Sequence, residues 1–188
     1  MDTAHDLYLL NNGPKPKGAV VMRKWSAPPE GWIKCNTDGA FYTDVGQGAT
    51  GVVLRDQTGT FRRGRAQWYQ HGLSALSMEA VACRDGLVLA REMNVSRVQV
   101  ETDSQELVKL WELGALQRSC ISPIIREIRD LCASFLDFSL VYINRVCNSV
   151  AHTLAKQVSE GNRTGEWQLA LSCIADLLTE DCNHVPPV

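Results

Sequence analysis

The sequence predicts an α/β domain on a five-stranded mixed sheet flanked by helices. Three observations predict it. Between residues 32 and 68, three runs of strand-forming residues follow one another across short polar turns, as in an antiparallel meander. Near residue 74 the apolar period changes from two to about 3.6. Beyond it, strand-like runs at 97–101 and 138–144 are separated by helical stretches, so these strands must join the sheet by crossovers and run parallel.

Each element has its own grounds. Residues 1–30 hold Gly13-Pro14-Lys15-Pro16-Lys17-Gly18 and Pro28-Pro29 and read as an N-terminal arm, with a short strand at 19–22. Trp32–Asp38 reads as the first strand of the domain; Gly39 lets the chain turn after it. Residues 46–49 read as a loop, 50–55 as the second strand, 56–59 as a turn and 60–68 as the third strand. Leu76, Ala80, Cys83, Leu87 and Ala90 share one face of a helix over 74–93, with Arg84, Asp85, Arg91 and Glu92 on the solvated side. The fourth strand covers 97–101. A helix over 104–114 stops at Gly114, and Pro123 opens another that runs to about residue 134. The fifth strand covers 138–144. Cys147, Ala151, Leu154 and Val158 line a helix ending before Gly161, and Trp167, Leu171, Ile174 and Leu178 line a last one. Domain organisation follows: an arm at 1–30, one folded domain at 31–160, and a C-terminal helix and tail at 161–188.

Composition narrows the function. Of 188 residues, 45% are hydrophobic and 21% charged, with net charge −2. That lacks the basic footprint of a tight non-specific nucleic-acid binder. Leu7–Leu10 is too short for a leader or a membrane span, so an intracellular protein, nuclear or cytoplasmic, is expected. Seven cysteines without any C-x-x-C pair read as reduced thiols rather than a zinc site, and Cys35, Cys83 and Cys132 lie in apolar patterns.

The chemistry sits in carboxylates at element ends. Asp38 ends the first strand and Asp103 follows the fourth; if these strands are parallel neighbours, both acids reach the same sheet end. Glu79 lies in the first turns of the helix, beside its buried face. Taken singly, Asp38 reads as a turn residue, Asp103 as the cap of an Asp-x-x-Glu box and Glu79 as a charge suited to a helix N-terminus. Together they would repel one another unless a hard divalent cation lay among them.

Asn36-Thr37-Asp38-Gly39-Ala40, Ser77-Met78-Glu79-Ala80, Glu101-Thr102-Asp103-Ser104 and Arg145-x-x-Asn148-x-x-Ala151-x-x-Leu154-Ala155-Lys156 resemble the type 1 ribonuclease H-like family. The chain looks most like its plant, retrotransposon reverse-transcriptase-like branch, with Trp25–Pro29 and Arg55-Asp56-x-x-Gly59 in keeping. The resemblance covers roughly residues 25–180. It implies a ribonuclease H-like fold and a monomeric hydrolase that cuts the RNA strand of an RNA–DNA hybrid with Mg²⁺ or Mn²⁺. Asp38, Glu79 and Asp103 would be the metal ligands, and Asn36, Gly39, Arg145 and Asn148 would contact nucleic acid. Of two metal ions, one would activate water and the other the leaving oxygen.

The chain departs from the family at two points. The fourth catalytic position, after Ala151, holds His152 in place of an aspartate. Imidazole is neutral and prefers softer metals than Mg²⁺, so His152 is either a weaker ligand or a polar residue on the helix rim. The loop at 144–148 lacks the family's histidine. Two functions stay open at this point: a hybrid-specific endonuclease impaired at residue 152, and a catalytically degenerate nucleic-acid-binding module.

Overall fold

The structure is a computed structural model that describes residues 24–114 and 119–182. The expected strand at 19–22 lies outside these residues. The strands are β1 (Ile33–Tyr42), β2 (Gln47–Arg55), β3 (Phe61–Tyr69), β4 (Arg97–Thr102), β5 (Asp137–Tyr142) and β6 (Thr164–Trp167). The helices are α1 (Ala75–Glu92), α2 (Gln105–Glu112), α3 (Ser122–Cys132), α4 (Ser149–Ala155) and α5 (Ser172–Cys182), with a 3₁₀ turn at Arg145–Asn148. The sheet order is β5-β4-β1-β2-β3-β6, with β1, β4 and β5 parallel and the other pairings antiparallel.

The sheet has six strands rather than five. Trp167, expected to begin the last helix, instead ends a strand, residues 164–167, that pairs with β3 from Gly64↔Trp167 to Gln67↔Thr164. The helix is shorter as a result and starts at Ser172, while Ile174 still reaches the core as its spacing requires. The meander also differs at its first turn. β1 runs through Asp38 and Gly39 to Tyr42, because β2 pairs with it as far as Tyr42↔Gln47. Residues 47–49 are therefore strand, and Asp38 is not terminal. The parallel pairing with β4 ends at Asn36↔Glu101, so Asp38 still lies just beyond it.

Helix α1 forms as its periodicity requires. Ala80, Cys83, Leu87 and Ala90 are buried and pack on Cys35, Val52, Leu54, Val98 and Val100. Ser74 caps it, accepting from the Ser77 amide at 3.1 Å while Ser77 reaches back to the Ser74 amide. Asp85 is not solvated: it is 7% exposed and accepts from Thr50 Oγ1 and Tyr69 OH, each at 2.8 Å. Burial of an ionised carboxylate is tolerated because donors and Arg84 surround it.

On the other face, α4 and α5 pack Val150, Ala151, Leu154 and Ile174 against Val53. Beside them runs a buried polar network. Lys34 pairs with Glu101 at 2.7 Å, and Asn36 Nδ2 donates to Glu101 at 2.8 Å. Arg55 donates to Asn36 Oδ1 at 2.7 Å and pairs with Asp181 of α5 at 2.6 Å. Trp25 lies 3.6 Å from the Arg55 guanidinium and donates its indole N–H to Asn36. Taking one partner from such a buried pair costs about 3–5 kcal/mol, since the other charge stays in low dielectric. The network ties the segment before β1 and the last helix to the central strands.

Candidate metal centre and active site

At the carboxyl ends of the parallel strands, Asp38, Glu79 and Asp103 each bring a carboxylate oxygen within 4.8 Å of the other two. Asp103 follows β4 directly. The cap of α2 is Ser104, which accepts from the Leu107 amide at 3.3 Å, so the expected Asp-x-x-Glu box does not form and the Asp103 carboxylate is not spent on it.

Two glycines set this geometry. At Gly39 a Cβ would lie 2.3 Å from the Met78 carbonyl carbon and 2.4 Å from the Glu79 nitrogen. Only a residue without a side chain lets α1 come this close and bring Glu79 beside Asp38. The role of Gly39 is thus close approach rather than a turn. Gly51 stands opposite Asp38 in the β1–β2 register, and a Cβ there would lie 2.2 Å from the Ala151 oxygen. It admits α4 and so brings His152 to the other side of Asp38.

Electrostatics follow from this crowding. Burial, then the charges of Asp38 and Asp103, push the Glu79 carboxyl up to about 8. Opposing this, the Gly39 amide hydrogen-bonds Glu79, and Thr102 Oγ1 donates to Glu79 Oε2 at 3.3 Å. Burial also raises Asp38, while its hydrogen bond with His152 and the charge of Arg145 lower it. Three crowded carboxyl oxygen donors, whose ionisation burial and mutual repulsion oppose, fit a hard divalent cation. No disulfide joins any of the seven cysteines, and none of them belongs to such a cluster among the described residues.

His152 Nδ1 lies 3.1 Å from Asp38 Oδ2, with the side chains 30% and 8% exposed. To meet a carboxylate at this distance, Nδ1 carries the proton and donates it. Residue 152 therefore engages Asp38 directly, as the partner of its outer oxygen. Arg145 is exposed at the start of the 3₁₀ turn, where its charge reaches Asp38. Asn36 and Asn148, expected to contact nucleic acid, are 0% and 1% exposed. Asn36 is held in the polar network, and Asn148 Nδ2 donates to the Thr37 carbonyl at 2.9 Å, bracing the residue before Asp38. Both side chains thus face inward.

Sequence reasoning missed Gly51 and Thr102. A glycine within an apolar strand run was the available signal for Gly51. Thr102 lay inside a recognised motif but carried no sign of its bond to Glu79. Arg63 and Arg65 of β3 are engaged with Glu166, and Arg65 also with Glu92.

Residues 36–158 match the reverse transcriptase-like family. An Arabidopsis thaliana protein described as a ribonuclease H protein is 32% identical over 167 residues, which is 85% of this chain and 26% of that protein. The chain thus spans about a quarter of the curated relative it matches. Among solved structures, RNase H1 from the archaeon Halobacterium salinarum superposes with a TM-score of 0.58 at 22% identity, over 67% of this chain and 96% of that one. The N-terminal RNase H domain of a Mycobacterium tuberculosis protein gives a TM-score of 0.62 at 17% identity, over 67% and 91%. The LC11 RNase H1, solved in complex with an RNA/DNA hybrid, gives 0.60 at 19%, over 67% and 95%. With its ribonuclease H-like fold and its match along residues 36–158, the chain belongs to the reverse transcriptase-like family.

Proposed function

We propose that this domain is a metal-dependent endonuclease that cleaves the RNA strand of an RNA–DNA hybrid, slowed by His152. The observation that carries the reading is the convergence of Asp38, Glu79 and Asp103 within 4.8 Å. Mg²⁺ or Mn²⁺ held by these three would supply Lewis acidity at a phosphate oxygen and at the attacking water. The chain's own residues do the positioning. Asp38, on β1 between the other two acids and His152, would hold the metal together with Glu79 and Asp103. Gly39 and Thr102 fix the Glu79 carboxylate through hydrogen bonds. Exposed Arg145 offers a cation to the phosphate backbone. The likeness to an RNase H1 bound to a hybrid supports the choice of substrate.

A second reading has its own observation. His152 already satisfies one oxygen of Asp38, which weakens the case for a second metal and favours a binding module without catalysis. One experiment separates the two: initial cleavage rates on an end-labelled hybrid with Mg²⁺ and then Mn²⁺, with titration calorimetry of each ion. Metal-dependent cleavage lost in Asp38→Asn establishes the nuclease. Hybrid binding without cleavage in either metal establishes the module.

A further inference from the structure

On the far side of the 3₁₀ turn from the carboxylates lies a cavity of about 340 Å³ that the proposed chemistry does not use. Its walls include Trp25, Ser26, Glu101, Tyr142, Asn144 and Cys147. It opens at the carboxyl ends of β4 and β5, the same sheet end as the triad. The turn is shared: Asn144 and Cys147 line the cavity, while Arg145 faces Asp38 and Asn148 braces Thr37.

We infer that this cavity is an accessory subsite for one unpaired nucleobase of a strand lying across the carboxylates. The inference rests on the nucleic-acid reading above. Its volume suits a planar heterocycle with its sugar and lies within the range of small-ligand sites. Tyr142 is 43% exposed and supplies an aromatic surface for stacking, which every base can use. Glu101 is 5% exposed, and its two oxygens each hold one internal donor, from Lys34 and Asn36. A carboxylate accepts about four hydrogen bonds, so acceptor capacity remains for a ligand N–H. An unpaired base offers such an acceptor an N–H on its pairing edge: an exocyclic amino group in cytosine, adenine and guanine, the ring N3–H in uracil and thymine. The site therefore accepts any base. Trp25 is the wall's anchor: its ring is held against Arg55, so the segment before β1 belongs to the subsite.

The test is binding by the full chain in EDTA, which reads the cavity apart from the metal cluster. The probes are cytidine and uridine monophosphates, ribose 5-phosphate and a cytidine trinucleotide, followed by chemical-shift titration. Cytidine and uridine monophosphates should both bind, ribose 5-phosphate should not bind detectably, and the trinucleotide should bind tighter than the mononucleotide. Tyr142→Ala should weaken the trinucleotide at least fivefold while Tyr142→Phe retains it, because stacking needs the ring and not the hydroxyl. Thermal melts of both variants exclude unfolding, and the exposed ring makes either substitution mild. Asp38→Asn should leave this titration intact. Equal binding by Tyr142→Ala, or binding of ribose 5-phosphate as tight as the nucleotide, overturns the subsite. Loss of hybrid cleavage with the titration intact would sink the nuclease reading alone.

Discussion

The substitution His152→Asp tests the site most sharply. In the structure His152 donates one hydrogen bond to the Asp38 carboxylate at 3.1 Å. Replacing imidazole with carboxylate removes that bond and adds a fourth carboxyl group beside Asp38, Glu79 and Asp103. Loss of a bond to a charged partner costs about 1.5–3 kcal/mol. Repulsion of the new carboxylate by its acidic neighbours adds about 1 kcal/mol more. The variant should therefore melt lower than wild type in EDTA. With Mg²⁺ the sign reverses, because the added oxygen ligand completes an all-oxygen site. Recovery of about 3 kcal/mol at the transition state corresponds to on the order of a hundredfold in rate. Wild type should be weak in Mg²⁺ and relatively better in Mn²⁺, which accepts nitrogen more readily. The assay is initial hybrid cleavage in each metal, paired with melts in EDTA and in Mg²⁺. His152→Asn is the control: it breaks the bond without adding charge and should gain no rate. If His152→Asp gains neither rate nor Mg²⁺-dependent stability over this control, residue 152 is not what limits the site.

Further outcomes are expected. Asp38→Asn should retain the fold, seen by circular dichroism, and lose all hybrid cleavage; undiminished cleavage would remove Asp38 from the reaction. The Glu79 carboxyl, held near 8 against 4.5 for the free group, binds a proton more readily in the folded state. Metal-free stability should therefore fall as pH rises from about 4.5 to 8, by at most about 5 kcal/mol and, with water reaching the site, by about 2–3. Glu79→Gln should flatten that slope in urea titrations. In the same window metal binding should release a proton, measured by calorimetry in buffers of different ionisation enthalpy; zero release contradicts the assignment. Gly39→Ala should destabilise by about 2–4 kcal/mol, since backbone rather than a movable side chain meets the new methyl, and a melt within 1 °C of wild type would refute the packing argument. Hybrid binding should show a shallow salt dependence, because Arg63 and Arg65 are already paired with acids; a slope matching six or more phosphates would point to another basic surface.

The local pattern of the chain determined most of the architecture. Alternation gave the meander, the step from period two to 3.6 gave α1 and its buried face, and the later strand–helix alternation gave the parallel order of β1, β4 and β5. These readings hold because each depends on which residues turn toward a core, a property written in spacing. The three acids were legible for the same reason: each falls at a place the strand order brings together. Other features depended on contacts between distant segments. β6 is four residues without a strong period, and the free edge of β3 makes it a strand. The inward turn of Asn36 and Asn148 needed Glu101, Arg55 and the Thr37 carbonyl around them. Spacing alone likewise does not tell that His152 bonds Asp38. That contact exists because Gly51, a residue on a different strand, has no side chain to keep α4 away, and such steric permission is visible only once the chain is folded.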